Sequence, residues 1–131
     1  MKSFKKGILA LGLTLGIIAS VGGGAVFADS SATGNINGTY TVATSAIQNT
    51  EAAGYTFFGM PGLVTVNSTY SYVNTSTLTT GSMNRYDGDT NRTSASVHFT
   101  APKNGRSVKI QSTHYVYAFG RLWSAKTENT K

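Results

Sequence analysis

The sequence predicts an all-β fold, a small antiparallel β-sandwich, and three observations carry that prediction. Thr, Ser, Tyr, Val and Gly dominate the chain beyond residue 28, and β-branched and aromatic side chains fit a pleated, half-buried surface. Period-2 alternation recurs along the chain, whereas runs with a 3.6-residue period are scarce. Cysteine is absent, so no disulfide staples the fold and a packed core has to hold it.

The N-terminus stands apart from this pattern. Lys2, Lys5 and Lys6 precede the apolar run GILALGLTLGIIASV, and GGGAVFA follows with Val26 and Ala28 at the −3 and −1 positions of a cleavage site. This is the layout of a secretory signal peptide. Residues 1–28 are therefore expected to be removed after Ala28, leaving residues 29–131 as one secreted, extracellular domain. No second run of that kind follows, so no membrane span is expected in the mature chain. The ending SAKTENTK has no LPxTG-like sorting motif, and no cysteine follows the apolar run to take a lipid.

Cleavage also changes the charge. Of the eleven Lys and Arg, three leave with the signal, and all five acids stay, so the net charge falls from +6 to +3. A mild positive charge favours anionic polymers such as wall teichoic acids or lipid headgroups. It is too small and too scattered for nucleic-acid binding.

The elements follow in order. DSSATGN is polar and expected to be loose. INGTYTVATSAI alternates, with Tyr40 and Val42 on one side, and reads as a strand. AIQNTEAAG has room for a short helical turn. GYTFFGMPG reads as a brief strand closed by Pro61-Gly62. LVTVNSTYSYVN sets Val64, Val66, Tyr70 and Tyr72 on one side, with Thr65, Asn67, Thr69 and Ser71 opposite. TSTLTTGSMNRYDGDTNR reads as a long polar connection with at most a short edge strand. TSASVHFTA places Ala95, Val97 and Phe99 together, and PKNG turns the chain, with Gly105 available for a left-handed position. RSVKIQSTHYVYAF then runs to a second turn near Gly120, and RLWSAKT returns. Ala101 opposite Arg106 brings Val97, Phe99, Val108, Ile110, Val116 and Trp123 onto one face of a three-stranded meander. That face needs a cover, and the strands around Tyr40, Phe57 and Val66 supply it.

Few residues offer chemistry. Asp87, Asp89 and Asn91 alternate like the start of a calcium loop. The sixth position is Arg92 rather than Gly, and the twelfth is His98 rather than Glu, so the segment reads as a solvated turn. His98 and His114 fall on opposite faces, roughly 16 Å apart in this register, and form no metal pair. The acids Asp29, Glu51, Asp87, Asp89 and Glu128 make no acid–base pair, and there is no G-x-S-x-G or phosphate-cradling loop. No catalytic residue, cofactor or metal is assigned. The outward face of the meander is more suggestive, with Lys109, Tyr115, Tyr117, Phe119 and Lys126 beside Leu122. Exposed aromatics among lysines stack on sugars or sit at a membrane surface; buried under the other sheet, they would be core.

VNSTYSYVN, SASVHFTAP and RSVKIQSTHYVY resemble small secreted β-rich proteins of Gram-positive bacteria. Over residues 64–127 the chain is also similar to precursors of sandwich-type lactococcin bacteriocins, which implies interference with cell-wall synthesis. It departs from that family in its longer mature part, its few histidines and its lack of an aromatic C-terminal end, and no family residue is carried over. The expected function is that of a secreted, non-enzymatic protein acting by surface contact with a cell-wall polymer, a glycan or a protein. The alternative is a bacteriocin-like protein that inhibits competing bacteria. The sequence leaves the oligomeric state open.

Overall fold

The computed structural model describes residues 28–131; the expected signal peptide lies outside them, apart from Ala28. Six strands follow one another: β1 (Ala28–Ile36), β2 (Thr39–Ile47), β3 (Glu51–Asn74), β4 (Thr80–Thr100), β5 (Gly105–Ala118) and β6 (Arg121–Thr130). All pairings are antiparallel, in the order β1-β2-β3-β5-β6, with β4 also on β3.

The long strand β3 organises the molecule. Its first residue, Glu51, pairs with Thr100, and its last, Asn74, pairs with Gly105. Thr100 and Gly105 are joined by so little chain that at most about 18 Å separates them. A straight strand of 24 residues would span roughly 80 Å. β3 is therefore bent double. The bend falls where the register with β4 shifts, between Phe57 and Val64. Pro61 there has no N–H for a ladder. A Cβ on Gly62 would meet the Tyr117 carbonyl at 3.1 Å and the Phe58 ring at 3.2 Å. Across the fold-over, Thr56 Oγ1 donates to the Thr65 carbonyl at 2.8 Å.

Two layers result. One holds β1, β2, the first half of β3 and the end of β4. The other holds the start of β4, the second half of β3, β5 and β6. At the far side β6 meets β1 and β2: the Glu128 N–H donates to Ser30 Oγ of β1 at 3.3 Å, and the Asn129 amide donates to the Ser45 carbonyl of β2. The sheet is thus nearly closed on itself.

The registers stack the interior in rungs. At one end lie Ile47, Ala52, Phe99, Tyr70 and Ile110, all fully buried. Tyr70 stacks on Phe99 at 5.3 Å between ring centroids, and its hydroxyl meets Ser107 Oγ at 2.8 Å. At the other end are Phe58, Val64, Val116, Ile36 and Trp123. Between these plugs the rungs are small and polar. Ser45, Gly54, Ser68, Ser112 and Thr127 form one, and Ala43, Thr56, Ala95, His114 and Ala125 contribute to the next. A Cβ on Gly54 would lie 2.3 Å from Ser68 Oγ, so glycine is what lets the layers close here.

The hydroxyls of this band form one chain. Ser112 Oγ lies 2.6 Å from Ser68 Oγ and from Ser45 Oγ, which lies 2.6 Å from Thr127 Oγ1. Thr127 Oγ1 meets His114 Nε2 at 2.7 Å, and His114 Nδ1 meets Thr56 Oγ1 at 2.8 Å. Each ring nitrogen thus meets a hydroxyl, and the tautomer decides which side donates. Burial lowers the pKa of His114 to about 4, offset in part by its hydrogen bond to the Tyr55 backbone. The imidazole is neutral at pH 7.

Several expectations change. The segment expected to be loose is β1. INGTYTVATSAI is not one strand, because Asn37 and Gly38, with φ of 50° and 83°, make the two-residue turn between β1 and β2; Asn-Gly is the favoured pair for that turn. No helical turn forms after β2: the Gln48 N–H donates to the Glu51 carbonyl at 2.7 Å and β3 begins. Pro61-Gly62 bends β3 rather than closing a strand. The long polar connection is mostly β4. The β5–β6 hairpin forms as expected, with Trp123 on the face of Val116 and opposite it, but β4 and β5 do not pair. The turn at residues 102–105 carries the chain between layers, and Asn104 (φ 66°), not Gly105, takes the left-handed position. Val108 leaves the expected core face. Ser71 pairs with Lys109 and Tyr72 with Ser107, so Val108 is bulged out and 39 % exposed.

Two outcomes test this interior. Gly54→Ala forces a methyl into the hydroxyl band and is expected to cost about 1–3 kcal/mol in urea unfolding. His114 gives a pH signature. The unfolded imidazole takes a proton near 6.5 and the folded one only near 4, so the contribution is fully present above 6.5. It is lost as pH falls from 6.5 to 4, by roughly 3 kcal/mol in all. The His114 ring resonances should titrate with a midpoint near 4, and His114→Gln should flatten stability across that window.

Candidate functional site

Strand alternation sends one parity of the β4-β3-β5-β6 layer into the hydroxyl band and the other outward. The outward residues also lie in rungs. Asn84, Thr69, Gln111 and Glu128 form one, and Tyr86, Asn67, Thr113 and Lys126 form the next. All of these but Tyr86 line an open groove of about 590 Å³, with Ser30 of β1 at its edge. Asn84 is held by hydrogen bonds from its amide to the Ser68 carbonyl (3.1 Å) and Thr69 Oγ1 (2.9 Å). The Gln111 amide donates to Glu128 Oε1 at 3.2 Å. These bonds orient the amides on a rigid sheet instead of leaving them to solvent.

Aromatic rings flank the groove. Tyr86 ends one rung and is 60 % exposed; Tyr115, one rung further along β5, is 43 % exposed. Strand spacings put their Cα atoms about 12 Å apart. Lys126 and Glu128 sit two residues apart on β6 with opposite charge, so the groove is close to neutral.

The five contact residues expected from sequence divide between two places. Tyr115 and Lys126 border the groove, and Lys109 lies on its end rung beside Ser71. Tyr117 lies beyond Tyr115, opposite Leu122. Phe119 is in the β5–β6 turn at φ 52°. Tyr117 and Phe119 are 48 % and 55 % exposed, so no other layer covers them. Asn67, Thr69, Asn84, Tyr86, Gln111 and Glu128 were not singled out from sequence. The parity of Asn67 and Thr69 was legible there, but joining Asn84 and Tyr86 to them requires knowing that β4 lies along β3.

The other candidate chemistry is absorbed by structure. Residues 85–92 are strand, not a turn, and Asn91 (φ 59°) takes the left-handed position near a register shift. Asp87 Oδ2 accepts from Arg92 Nη2 at 2.7 Å and from the Ser96 N–H at 2.9 Å, and Asp89 Oδ1 accepts from the Thr90 N–H. No group of three or more metal-ligating side chains occurs among the described residues. His98 is not opposite Lys109 as expected; it pairs with Ala53, and its ring meets Glu51 Oε1 at 3.0 Å. His114 lies on the interior side and is sealed in the hydroxyl chain. Among the described residues no helix is long and apolar enough to cross a membrane.

Comparison with protein families, with curated proteins and with solved structures finds no match.

Exposed aromatics contribute little to folding. The double substitution Tyr115→Ala/Tyr117→Ala is expected to shift unfolding free energy by no more than about 1 kcal/mol. A larger loss in thermal melts would place these rings in the core.

Proposed function

We propose that the protein is a secreted, non-enzymatic binding module whose groove holds a hydroxyl-rich, uncharged polysaccharide chain of a cell wall or glycan-coated surface. One observation carries this reading: two adjacent rungs of amide, hydroxyl and paired charged side chains run across four strands, flanked by exposed Tyr86 and Tyr115. Sugar rings present hydroxyls at their rims and apolar C–H faces. Planar amides and hydroxyls serve the rims, and tyrosine rings serve the faces. The near-neutral lining favours an uncharged chain over a polyanion. Secretion is supported by the basic start and apolar run of residues 1–28. Binding without chemistry is supported by the placement of the titratable groups: Asp87 is met by Arg92, Glu51 by His98, Glu128 by Gln111 and Asp89 by the Thr90 N–H, and the buried imidazole faces inward.

All six strands pair within residues 28–131, so residues 29–131 hold every paired residue except Ala28. The test is co-sedimentation of residues 29–131 with isolated Gram-positive cell walls at low and high salt. Binding is expected to persist at high salt. Tyr115→Ala and Asn67→Ala should each weaken it about 3- to 10-fold with unchanged melting. Absence of binding at both salts sinks the reading, and binding abolished by salt replaces the groove with a charge-driven contact.

A further inference from the structure

A second surface lies beyond the groove, at the tip of the β5–β6 hairpin. We infer that this tip docks on an anionic lipid bilayer, with Phe119 and Leu122 entering the headgroup–acyl boundary and Arg121 meeting lipid phosphates.

The backbone supplies the first argument. The molecule has two hairpins closed by two residues at positive φ. In β1–β2 these are Asn37 and Gly38, at 50° and 83°; in β5–β6 they are Phe119 and Gly120, at 52° and 69°. The turn favours Asn-Gly, and a bulky residue there adopts a left-handed conformation that its Cβ resists. Phe119 gains no burial in return, being 55 % exposed, and Leu122 beside it is 62 % exposed. A Cβ built on Gly120 meets nothing within 4 Å, so Gly120 faces open space. A strained backbone bearing an uncovered aromatic points to an outside contact.

Charge and shape select a bilayer. Around the tip, residues 115–125 carry Arg121 and no acid. Arg121 also lines a hollow of about 380 Å³ with Asn35 and Asn37 of the neighbouring hairpin, beside Leu122 and Trp123. A guanidinium and two amides are donors suited to a phosphate headgroup, and the apolar side chains stand next to it at the height of the acyl boundary. A convex two-residue tip buries far less than the ~800 Å² per partner of a specific protein interface. A bilayer needs no matching concavity.

The experiment mixes residues 29–131, free of the apolar N-terminal run that would itself enter lipid, with sucrose-loaded vesicles. One set is phosphatidylcholine alone and the other contains 30 % phosphatidylglycerol. The protein is expected to sediment with the anionic vesicles and not with the neutral ones. Phe119→Asn, which restores Asn-Gly, should lose at least tenfold in binding while melting at or above the wild-type temperature. Arg121→Gln should lose binding without a change in melting. Equal binding by Phe119→Asn overturns the inference, and so does a lower melting temperature, which would make Phe119 structural. No wild-type binding to either vesicle also overturns it and leaves a protein pocket as the occupant of the tip. Wall binding is read separately, since Phe119 and Arg121 lie outside the groove.

Discussion

The rest of the structure depends on the buried hydrogen-bond chain from Ser68 through Ser112, Ser45, Thr127 and His114 to Thr56. A buried hydroxyl left without a partner costs about 1–3 kcal/mol. Six buried polar side chains on strands β2, β3, β5 and β6 therefore demand one register for all of those strands together. Apolar rungs tolerate repacking; a chain of single-proton donors does not. Sliding β5 along β3 by two residues would keep its apolar parity, yet it would move Ser112 off Ser68 and His114 off Thr56. Thr41 and Thr44 hydroxyls lie outside the chain, buried and unpartnered, and show what each broken link would resemble.

The same chain explains why β3 is bent double. Thr56 and Ser68 lie on its two arms, and the chain is complete only when the arms face one another. The bend is permitted by Gly59, Pro61 and Gly62 and drawn tight by small side chains, with Gly54, Ala43, Ala95 and Ala125 leaving room for the imidazole. Alternation then links interior to exterior. Between Ser68, Ser112 and Thr127, which point inward, stand Asn67, Thr69, Gln111, Thr113, Lys126 and Glu128, which point outward. The hydrogen bonds that lock the backbone from inside hold the groove rigid from outside. A recognition surface made of short polar side chains gains from such a base, because its affinity depends on groups already oriented.

Sequence patterns reached the fold class, the parity of Val64, Val66 and Tyr70, and the β5–β6 hairpin with Trp123 on the face of Val116, since all three are local properties of alternation and turns. They misplaced what is tertiary. Asn37-Gly38 was a legible turn signal, hidden because apolar alternation continued on either side of it. PKNG was a legible turn too, but nothing in it distinguishes a hairpin from a step between layers; only the bend in β3 decides that. Val108 left the core through a bulge that one extra residue on β5 creates opposite Ser71 and Tyr72. Parity alone set His114 on the face opposite His98, and its partners Thr56 and Thr127 come from positions 58 and 13 residues away.

Groove and tip share the β5–β6 hairpin yet follow opposite physical rules. In the groove, polar side chains rest on the most tightly bonded part of the molecule, and its inner strands β3 and β5 are paired on both sides. The tip sits where the ladder ends, with the last pair at Ala118 and Arg121, and strain there is not transmitted to the hydroxyl band. A left-handed phenylalanine is affordable at such a place and nowhere in the interior. That location lets the hairpin present an aromatic and a leucine to an external apolar phase while the register beneath the groove stays fixed by Val116 against Trp123 and Ser112 against Thr127. The two surfaces can thus vary independently, because the rungs between them isolate a strained turn from a satisfied core.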